Sequence, residues 1–539
     1  MPNLRRKLLS GPFDVAIVGS GFAGSLTALI LRRLGRSVVL IERGTHPRFA
    51  IGESSSPLAN LLLEQLADRY ALPRIRPLAS WGEWQRRYPE IGCGLKRGFT
   101  FYGHELGKPF AADPDRGDQL LVAASPHDEV ADTHWYRADF DRFLVEEAQS
   151  EGAEYLDQTN LESLSWQGDT ASLEGTRMGR RLAFRVRFVV DASGPSGFLH
   201  RVLGLSGATL PTLPATEGLY NHFSGVRRLD EMQIFPSTDP PPYPVDDAAV
   251  HHVFDGGWIW VLRFNNGITS AGVAATARLA RELDLAAGAP AWDRLLARLP
   301  TVREQFADSR SLLPFVYRPA LSFRSGTVAG PNWMLLPSAA AFVDPLLSTG
   351  FPLTLLGIEG LAAAVETSWG QTAFSARLER YATLTLLEAD TAALLVSALY
   401  ANFHDFPVFA ALTLLYFAAA SFAEAARRLL RPELSGSFLS GNHPVFGPAL
   451  RRCCRMAIGL APGDRMALFR KIREAIEPLD VAGLSDESRR NWYPVFAADL
   501  IAAAPKLGAT KDQVEELLRR FGFAVGPCAA AASAAAGSI

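Results

Sequence analysis

Apolar and polar positions switch between two spacings along the first 45 residues of the chain. Residues 15–18 form an apolar run typical of a buried strand, residues 25–34 carry apolar side chains at helical spacing, and residues 37–41 form a second apolar strand. Because a strand, a helix and a second strand follow in order, residues 13–45 predict a βαβ unit and therefore a parallel sheet.

Two later segments, residues 185–190 and 333–336, are rich in apolar residues and short enough to be strands. The first ends in Asp191-Ala192-Ser193-Gly194, and the second ends in Pro337-Ser338-Ala339-Ala340. We expect both strands to join the first sheet, so the fold of that sheet is discontinuous and interrupted by long insertions.

The remaining pattern predicts two further regions. Alternating segments at residues 251–254 and 258–262, inside an insertion at about 205–315, predict a separate sheet that covers the first. From residue 356 onward, long Ala- and Leu-rich stretches have helical periodicity. We therefore expect an α/β domain over residues 13–355, a helical C-terminal lobe over residues 356–525 and a flexible tail over residues 526–539.

One segment is apolar enough to suggest a membrane helix. Residues 406–423 carry no charge, and their length is near the lower limit of about 17 residues for a membrane span. Pro407, Thr413, Ser421 and several alanines dilute the segment, and arginines follow it on the same predicted helix. We interpret it as a buried helix of the C-terminal lobe, with contact to a membrane surface as the alternative.

Length, charge and cysteine content narrow the class of protein. A chain of 539 residues is too long for one hydrophobic core, and a net charge of −2 without a basic stripe argues against nucleic acid as a partner. The cysteines, which are Cys93, Cys453, Cys454 and Cys528, have neither metal-ligand nor disulfide spacing. No two histidines are four residues apart, so we predict no metal site. We find no apolar leader segment and expect a reducing, cytoplasmic location.

A glycine turn follows the first predicted strand, with the sequence Gly19-Ser20-Gly21-Phe22-Ala23-Gly24. In such a turn the first glycine permits the bend, the second lets the backbone approach a pyrophosphate, and the third lets helix and strand pack closely. Glu42 follows the second strand about 20 residues later, where a carboxylate binds a ribose 2′-hydroxyl. The pattern therefore predicts a dinucleotide site at the N-terminus of the first helix.

Further motifs follow the glycine turn in order. They are His46-Pro47-Arg48-Phe49, Ile51-Gly52-Glu53-Ser54-Ser55, Asp68-Arg69-Tyr70, Gly94-Leu95-Lys96-Arg97, Tyr136-Arg137-Ala138-Asp139, and the stretches at residues 251–261 and 342–350. Over most of its length the chain resembles the flavin-dependent halogenases of the FAD-dependent monooxygenase superfamily, in particular the branch that acts on small pyrroles and phenols. The resemblance implies an α/β fold of the FAD-binding, Rossmann-like GR2 type, with an inserted substrate sheet and a helical C-terminal lobe.

The resemblance also implies a reaction. Reduced FAD and oxygen convert chloride or bromide to hypohalous acid, which reaches the lysine matching Lys96 and halogenates a small electron-rich aromatic, either free or tethered to a carrier. As an ammonium, Lys96 would polarise the hypohalous acid; neutralised by burial, it would form a chloramine. The alternative without function is a surface lysine beside Arg97. Since we find no second glycine-rich turn for NAD(P)H, we expect a separate NAD(P)H-dependent flavin reductase as a partner.

The resemblance assigns individual residues to the flavin and to the halide. The residues expected at FAD are Gly19, Gly21, Phe22, Ala23, Gly24, Glu42, Arg43, Ser54, Ser55, Arg137 and Phe351. Thr349 and Gly350 are expected to hold the halide at the start of a helix, where N–H groups attract anions. We expect Pro345 and Gly350 to bend the backbone there, with Gly350 in a conformation of positive φ.

Two positions depart from the family pattern. Leu262-Arg263 replaces an Ile-Pro pair beside the flavin, which would open the passage between flavin and substrate. This departure keeps an FAD-dependent aromatic hydroxylase as an alternative, and a flavoprotein that binds FAD without catalysis is a third interpretation. Leu347 replaces a glutamate of the tryptophan halogenases, which leaves no general base there and favours a phenol or a pyrrole.

Overall fold

The computed structural model describes residues 7–112, 114–232 and 240–523. Its α-helices within these ranges are α1 (Phe22–Arg33), α2 (Pro57–Arg69), α3 (Trp81–Arg87), α4 (Arg137–Ser150), α5 (Phe198–Leu203), α6 (Ala277–Leu283), α7 (Ala289–Ala297), α8 (Pro300–Gln305), α9 (Pro337–Ala340), α10 (Gly350–Ser368), α11 (Ala373–Ala401), α12 (Phe406–Arg428), α13 (Phe446–Ile458), α14 (Arg465–Ile476), α15 (Ala497–Ala502) and α16 (Lys511–Arg520). Its strands are β1 (Lys7–Val18), β2 (Val38–Ile41), β3 (Cys93–Lys96), β4 (Gly98–His104), β5 (Gln119–Ala123), β6 (Asp132–Trp135), β7 (Glu154–Leu156), β8 (Thr159–Gln167), β9 (Thr170–Arg177), β10 (Arg180–Asp191), β11 (Thr216–Ser224), β12 (Ala249–Phe254), β13 (Gly257–Arg263), β14 (Thr269–Thr276), β15 (Arg310–Ser311), β16 (Val316–Arg318), β17 (Phe323–Arg324), β18 (Ala329–Gly330), β19 (Trp333–Leu335), β20 (Ala341–Phe342) and β21 (Trp492–Tyr493).

The first sheet has the strand order β18-β19-β10-β1-β2-β7. Strand β1 runs parallel to both of its neighbours, with Val15 opposite Phe188 on one side and Val38 on the other. Val15 and Ile17 are fully buried, as expected for a parallel strand that is covered on both faces. The predicted βαβ unit and the returning strands β10 and β19 are confirmed. Helix α1 begins at Phe22, inside the Gly19–Gly24 motif, rather than at residue 25.

The second sheet has the strand order β15-β11-β14-β13-β12-β4-β5-β21. Its strands β11–β15 come from the predicted insertion, but β4 and β5 precede it and β21 comes from near the C-terminus. Strand β4 runs parallel to β12, with Phe101 opposite His251 and their rings stacked at a centroid distance of 4.2 Å. Phe99 and Phe101 are almost completely buried, so these aromatic residues hold β4 in the sheet. The sheet is therefore larger than the sequence indicated.

The C-terminal region is helical, as predicted. Two of the described helices, α11 and α12, are long and apolar enough to cross a membrane, but their most apolar stretches are 61% and 78% buried inside the protein. Helix α12 packs against α2 and α14, which supports the interpretation of residues 406–423 as a core helix. The expected boundary between residues 355 and 356 falls inside α10, and the expected tail at residues 526–539 lies outside the described residues.

Candidate active site

A cavity of about 1510 Å³ lies where the carboxyl ends of the first sheet meet the second sheet. The first sheet reaches it through Gly19, Glu42, Ala192 and Pro337, and the second through Trp258 and Trp260. Ligands of open parallel sheets bind beyond the carboxyl ends of the strands. The cavity exceeds the roughly 300–1,000 Å³ of ordinary small-molecule sites, so it has room for a dinucleotide.

The glycine turn is shaped by contacts that exclude side chains. Gly19 has a φ of +101°, and a Cβ atom on Gly24 would lie 1.9 Å from the carbonyl oxygen of Gly19. Gly21 is less constrained, because its Cβ would lie 3.3 Å from the end of the flexible Arg137 side chain. The turn leads directly into α1, and this arrangement fits a pyrophosphate at the helix N-terminus.

Glu42 connects the end of the second strand to the glycine turn. Its Oε2 accepts hydrogen bonds from the backbone N–H and the hydroxyl of Ser20, both at 3.1 Å, and its Oε1 accepts one from the Gly44 N–H at 2.9 Å. Burial raises the pKa of Glu42, but these bonds and the Arg48 charge outweigh burial and leave the pKa below its ordinary value. Glu42 is therefore an ionised acceptor at the cavity, as ribose binding requires.

Arg137 is held in place by Asp141, a residue that the sequence analysis missed. Nε and Nη2 of Arg137 each donate to an Asp141 oxygen at 2.7 Å, and Nη1 donates to the Gly52 carbonyl at 3.0 Å. Asp141 also accepts from the Phe22 N–H at 3.1 Å, so it joins the arginine to the first turn of α1. The available signal was the spacing of four residues on one helix, at which Arg and Asp side chains meet.

The other residues expected at FAD divide into two groups. Phe22, Ala23, Arg43, Ser54 and Phe351 line the cavity. Ser55 is turned toward strand β6, where its hydroxyl donates to the Thr133 carbonyl at 2.6 Å, and Gly24 acts through the packing of α1 described above. The Phe351 ring also stacks on Trp135 at a centroid distance of 4.2 Å, so it is fixed by the core as well as facing the cavity.

Lys96 lies at the end of β3 and is fully buried, which excludes the interpretation as a surface lysine. Its Nζ donates to Ser54 Oγ at 2.8 Å and to the Ser55 carbonyl oxygen. The same nitrogen lies 3.7 Å from the centroid of the Phe99 ring. Burial lowers the pKa of Lys96 to about 7, although the nearby carboxyl of Asp132 opposes the shift. Lys96 therefore changes its charge near neutral pH.

Asp132 lies directly opposite Lys96 in the antiparallel pair of β3 and β6, so the two side chains share one face of that pair. Asp132 is buried, and its Oδ2 has no hydrogen-bond partner among the described residues. Burial raises its pKa well above the ordinary value for an aspartate. The sequence analysis missed Asp132, because only the pairing of two distant strands brings it to Lys96.

The expected halide turn faces the cavity, but its bend lies at another residue. Ser348, Thr349 and Gly350 line the cavity, and α10 begins at Gly350. The first N–H groups of a helix have no acceptor within the helix, which suits an anion. The positive φ, +51°, belongs to Ser348, while Gly350 is the first residue of the helix and a Cβ atom on it would meet nothing within 4 Å. The expectation that Gly350 supplies the bend is therefore wrong.

Arg263 does not lie where its replacement of a proline suggested. Its Nε donates to Asp246 Oδ1 at 2.7 Å, and its Nη1 donates to the Val226 carbonyl at 2.9 Å. Leu262 lines the cavity, and successive side chains of a strand point to opposite faces. Arg263 therefore faces away from the cavity, so its side chain does not line the passage from the flavin, and the opening of that passage stays a prediction.

Two further buried pairs border the cavity and were missed by the sequence analysis. His222 Nε2 lies 2.8 Å from Glu53 Oε1, and the Tyr400 hydroxyl donates to Asp344 Oδ2 at 2.8 Å. Burial raises the pKa of Asp344 to about 7, against the opposing hydrogen bond from Tyr400. Glu53 and Asp344 belong to motifs noted in the sequence, but their partners are distant along the chain and carry no local signal.

A parallel sheet with a glycine turn, an ionised carboxylate after the second strand and a large cavity under a second sheet together define an FAD-dependent oxidoreductase. Residues 14–319 match the family described as FAD dependent oxidoreductase.

Known relatives narrow this class. The chain is 31% identical over 404 residues to the monodechloroaminopyrrolnitrin halogenase PrnC of Pseudomonas fluorescens, with 74% of this chain and 69% of that protein covered. It is 29% identical over 384 residues to the tetracycline 7-halogenase of Kitasatospora aureofaciens, with 70% and 67% covered. The crystal structure of halogenase PltM in complex with phloroglucinol and FAD matches with a TM-score of 0.77 at 26% identity, covering 89% of this chain and 99% of that one.

The chain belongs to the flavin-dependent halogenases, enzymes that use FAD and halide to halogenate aromatic compounds. The predicted fold class, activity and cofactor are confirmed.

Proposed function

We propose that this halogenase acts on a small phenol or pyrrole and that Lys96 delivers the halogen. The observation that carries the proposal is the position of Lys96: its side chain is fully buried, and its ammonium group is bonded to Ser54, which lines the flavin cavity. A buried lysine held in the wall of a cofactor cavity, with a pKa of about 7, is typical of a functional residue rather than a structural one.

The residues of the large cavity have distinct tasks in this proposal. Gly19, Gly21 and the start of α1 hold the pyrophosphate, Glu42 holds the ribose, and Arg137 lies at the edge of the cavity. Reduced FAD, when bound, supplies with oxygen the oxidant that converts halide to hypohalous acid. The start of α10, formed by Gly350 and by Thr349 just before it, holds the halide through backbone N–H groups and the positive end of the helix dipole.

Lys96 acts as an ammonium. The groups around Nζ are the Ser54 hydroxyl, the Ser55 carbonyl and the face of Phe99, and a carbonyl and a ring face both favour a cation. An ammonium donates a hydrogen bond to the oxygen of hypohalous acid and makes the halogen more electrophilic. A neutral amine, the form that would give a chloramine, would lose the attraction to the Phe99 ring.

The proposal includes a partner protein, because the sequence has no second glycine-rich turn for NAD(P)H. A separate NAD(P)H-dependent flavin reductase supplies the reduced flavin, and both proteins act in the cytoplasm.

The phenol class draws support from PltM, which was solved with phloroglucinol. The hydroxylase alternative rested on Arg263, and because Arg263 faces away from the cavity, no observation now favours it.

The test is a reconstituted reaction with a flavin reductase, chloride or bromide, and a panel of phenols and pyrroles offered both free and as carrier thioesters, with products identified by mass spectrometry. We expect Lys96→Ala to bind FAD and reoxidise reduced flavin normally but to form no halogenated product. Lys108→Ala, which removes an exposed lysine paired with Glu105, is the matched control and should behave like the wild type. Product formation by Lys96→Ala at near the wild-type rate would refute the role of Lys96.

A further inference from the structure

The buried carboxyl group of Asp344 lies in the turn that leads to α10. Its Oδ1 accepts a hydrogen bond from the Leu346 N–H at 2.9 Å, and its Oδ2 accepts one from the Tyr400 hydroxyl at 2.8 Å. Tyr400 belongs to α11, so Asp344 joins this turn to the helical lobe. Asp344 is 4% exposed and lines the flavin cavity, yet the binding of FAD and the delivery of halogen by Lys96 give it no task.

The turn brings Asp344 near the start of α10. The Ser348 N–H donates to the Pro345 carbonyl at 3.1 Å, which closes a β-turn, and the two ends of a β-turn lie within about 7 Å of each other. Asp344 immediately precedes this β-turn and Thr349 immediately follows it. Both residues are buried and line the cavity. A halide held by the N–H groups of Thr349 and Gly350 would therefore share a buried wall with the Asp344 carboxyl.

Two negative charges in one buried wall disfavour each other, because water screens them less than it does on a surface. A halide ion keeps its charge near neutral pH, whereas a carboxyl group can bind a proton. Burial already raises the pKa of Asp344 to about 7, against the opposing hydrogen bonds from Tyr400 and Leu346. Asp344 is therefore the partner of the two that becomes neutral.

The side chains that act on the Asp344 carboxyl are neutral near pH 7. They are Tyr400, whose own pKa burial raises well above its ordinary value, and Trp258. The next ring beyond Trp258 is that of His251, at a centroid distance of 5.3 Å, and burial lowers the pKa of this histidine to about 3. Trp258 Nε1 is buried and has no hydrogen-bond partner among the described residues. The wall thus contains an N–H donor that suits an anion beside one carboxyl group that can lose its charge.

We propose that Asp344 takes up a proton from the solvent when the turn before α10 binds chloride or bromide. The inference rests on the proposed halide site at Thr349 and Gly350. The proton does not disturb the turn, because Oδ1 still accepts from the Leu346 N–H, and Oδ2 donates to the Tyr400 oxygen in place of accepting from it. Halide binding and proton binding are then reciprocal, and each strengthens the other by the same factor.

The test is the binding of chloride to the FAD-loaded, oxidised enzyme from pH 6 to 9, followed by broadening of the chloride NMR line, with bromide as the competitor. Above the Asp344 pKa of about 7, the chloride Kd of the wild type should rise toward about tenfold per pH unit, because the protonated fraction falls by that factor. Asp344→Asn keeps the shape and is neutral at every pH, so its Kd should change less than about 3-fold over this range. Asp255→Asn, which alters an exposed carboxylate paired with Arg278, should behave like the wild type.

Tyr400→Phe separates the titration of Asp344 from a merely structural role. The Tyr400 hydroxyl lowers the pKa of Asp344, so its removal should move the midpoint of the pH dependence upward, by up to about one pH unit. A loss of packing alone would instead weaken chloride binding equally at every pH. Lys96 also changes its charge near pH 7, and Lys96→Ala should therefore keep the wild-type midpoint if Asp344 is the group observed.

A chloride Kd that is independent of pH in the wild type, or a pH dependence that is lost in Lys96→Ala and kept in Asp344→Asn, would overturn the inference. A midpoint that stays in place or falls in Tyr400→Phe would also overturn it, and this variant decides the question if Asp344→Asn does not fold. Failure of the proposed halide site gives a different result, in which chloride shows no saturable broadening at any pH. That result would refute the halide site and the inference with it.

Discussion

Arg263 and Asp246 form an ion pair in the second sheet, with Nε of the arginine 2.7 Å from Oδ1 of the aspartate. The Asp246 side chain is fully buried, and its Oδ2 accepts a hydrogen bond from the Leu229 N–H at 2.5 Å. The pair therefore secures the segment before β12 to the end of β13, on the face of the sheet away from the flavin.

Arg263→Pro should destabilise this enzyme. It leaves the buried Asp246 without its cation, which costs about 3–5 kcal/mol, and it should not alter the ratio of halogenated product to hydrogen peroxide. Thermal unfolding and peroxide assays check both statements. The double variant Arg263→Met with Asp246→Leu should recover stability, because replacing both partners removes the unpaired charge. A melting temperature of Arg263→Pro equal to that of the wild type would contradict the structural role of the pair.

Halogenation should fall as pH rises through about 7. Below its pKa of about 7, Lys96 is an ammonium, the form that the proposed function requires, and above it the fraction in that form falls about tenfold per pH unit. The measurement is the halogenation rate from pH 6 to 9, with flavin reoxidation followed as the control that should not share this midpoint. A rate that instead rises through pH 7 would identify the neutral amine as the active form.

Gly24→Ala should abolish FAD binding, whereas Gly21→Ala should weaken it much less. The new Cβ at position 24 would lie 1.9 Å from the Gly19 carbonyl oxygen, and backbone cannot yield without separating α1 from β1. At position 21 the nearest atom is the end of the Arg137 side chain at 3.3 Å, which can move. Titration of each apoprotein with FAD, followed by flavin fluorescence, makes the comparison. The reverse order of affinities would show that the turn does not hold the cofactor as proposed.

Glu42→Gln should weaken FAD binding by about 10- to 100-fold, because a hydrogen bond to a charged acceptor contributes roughly 1.5–3 kcal/mol. Glu42→Arg should lower the FAD affinity further, since it also breaks the hydrogen bonds from Ser20 and Gly44 that shape the turn. FAD affinity and the unfolding temperature of the apoprotein separate the two effects. Glu154→Gln, at an exposed position on β7, is the control, and unchanged FAD affinity in both Glu42 variants would place the ribose elsewhere.

Gly350→Ala should fold and retain activity, whereas Ser348→Val should not. Alanine at the first residue of α10 meets no atom within 4 Å, while a β-branched residue at position 348 is strained at a φ of +51°. Ser348→Gly is the matched control, because glycine adopts positive φ readily. The dependence of product formation on bromide concentration tests the halide site itself. If Ser348→Val shows the wild-type dependence, the halide does not bind at this turn.

The sequence was sufficient to predict an element or a site residue where the residues that determine it are close together along the chain. The glycine turn requires three small residues at fixed spacing, and the contact of Gly24 with Gly19 explains why. The sequence was not sufficient to predict contacts between distant segments, such as Asp132 beside Lys96 or β4 beside β12. Arg263 was misread although period-two alternation carried the answer: a strand with Leu262 toward the cavity must turn Arg263 to the other face. The roles assigned to single residues at the flavin and the halide stay predictions.

Strand β21 pairs in parallel with β5, a strand from the first quarter of the chain. Val481, Phe496 and Phe521, from the same late part of the sequence, line a cavity of about 190 Å³ together with Phe99 of β4. Since chains are made from the N-terminus, the glycine turn, Lys96 and the turn before α10 are all synthesised before the second sheet receives its strand β21. Shortening the chain before this segment would remove β21 and leave one edge of β5 without its partner strand. The late segment thus completes a sheet whose other described strands lie within residues 98–318.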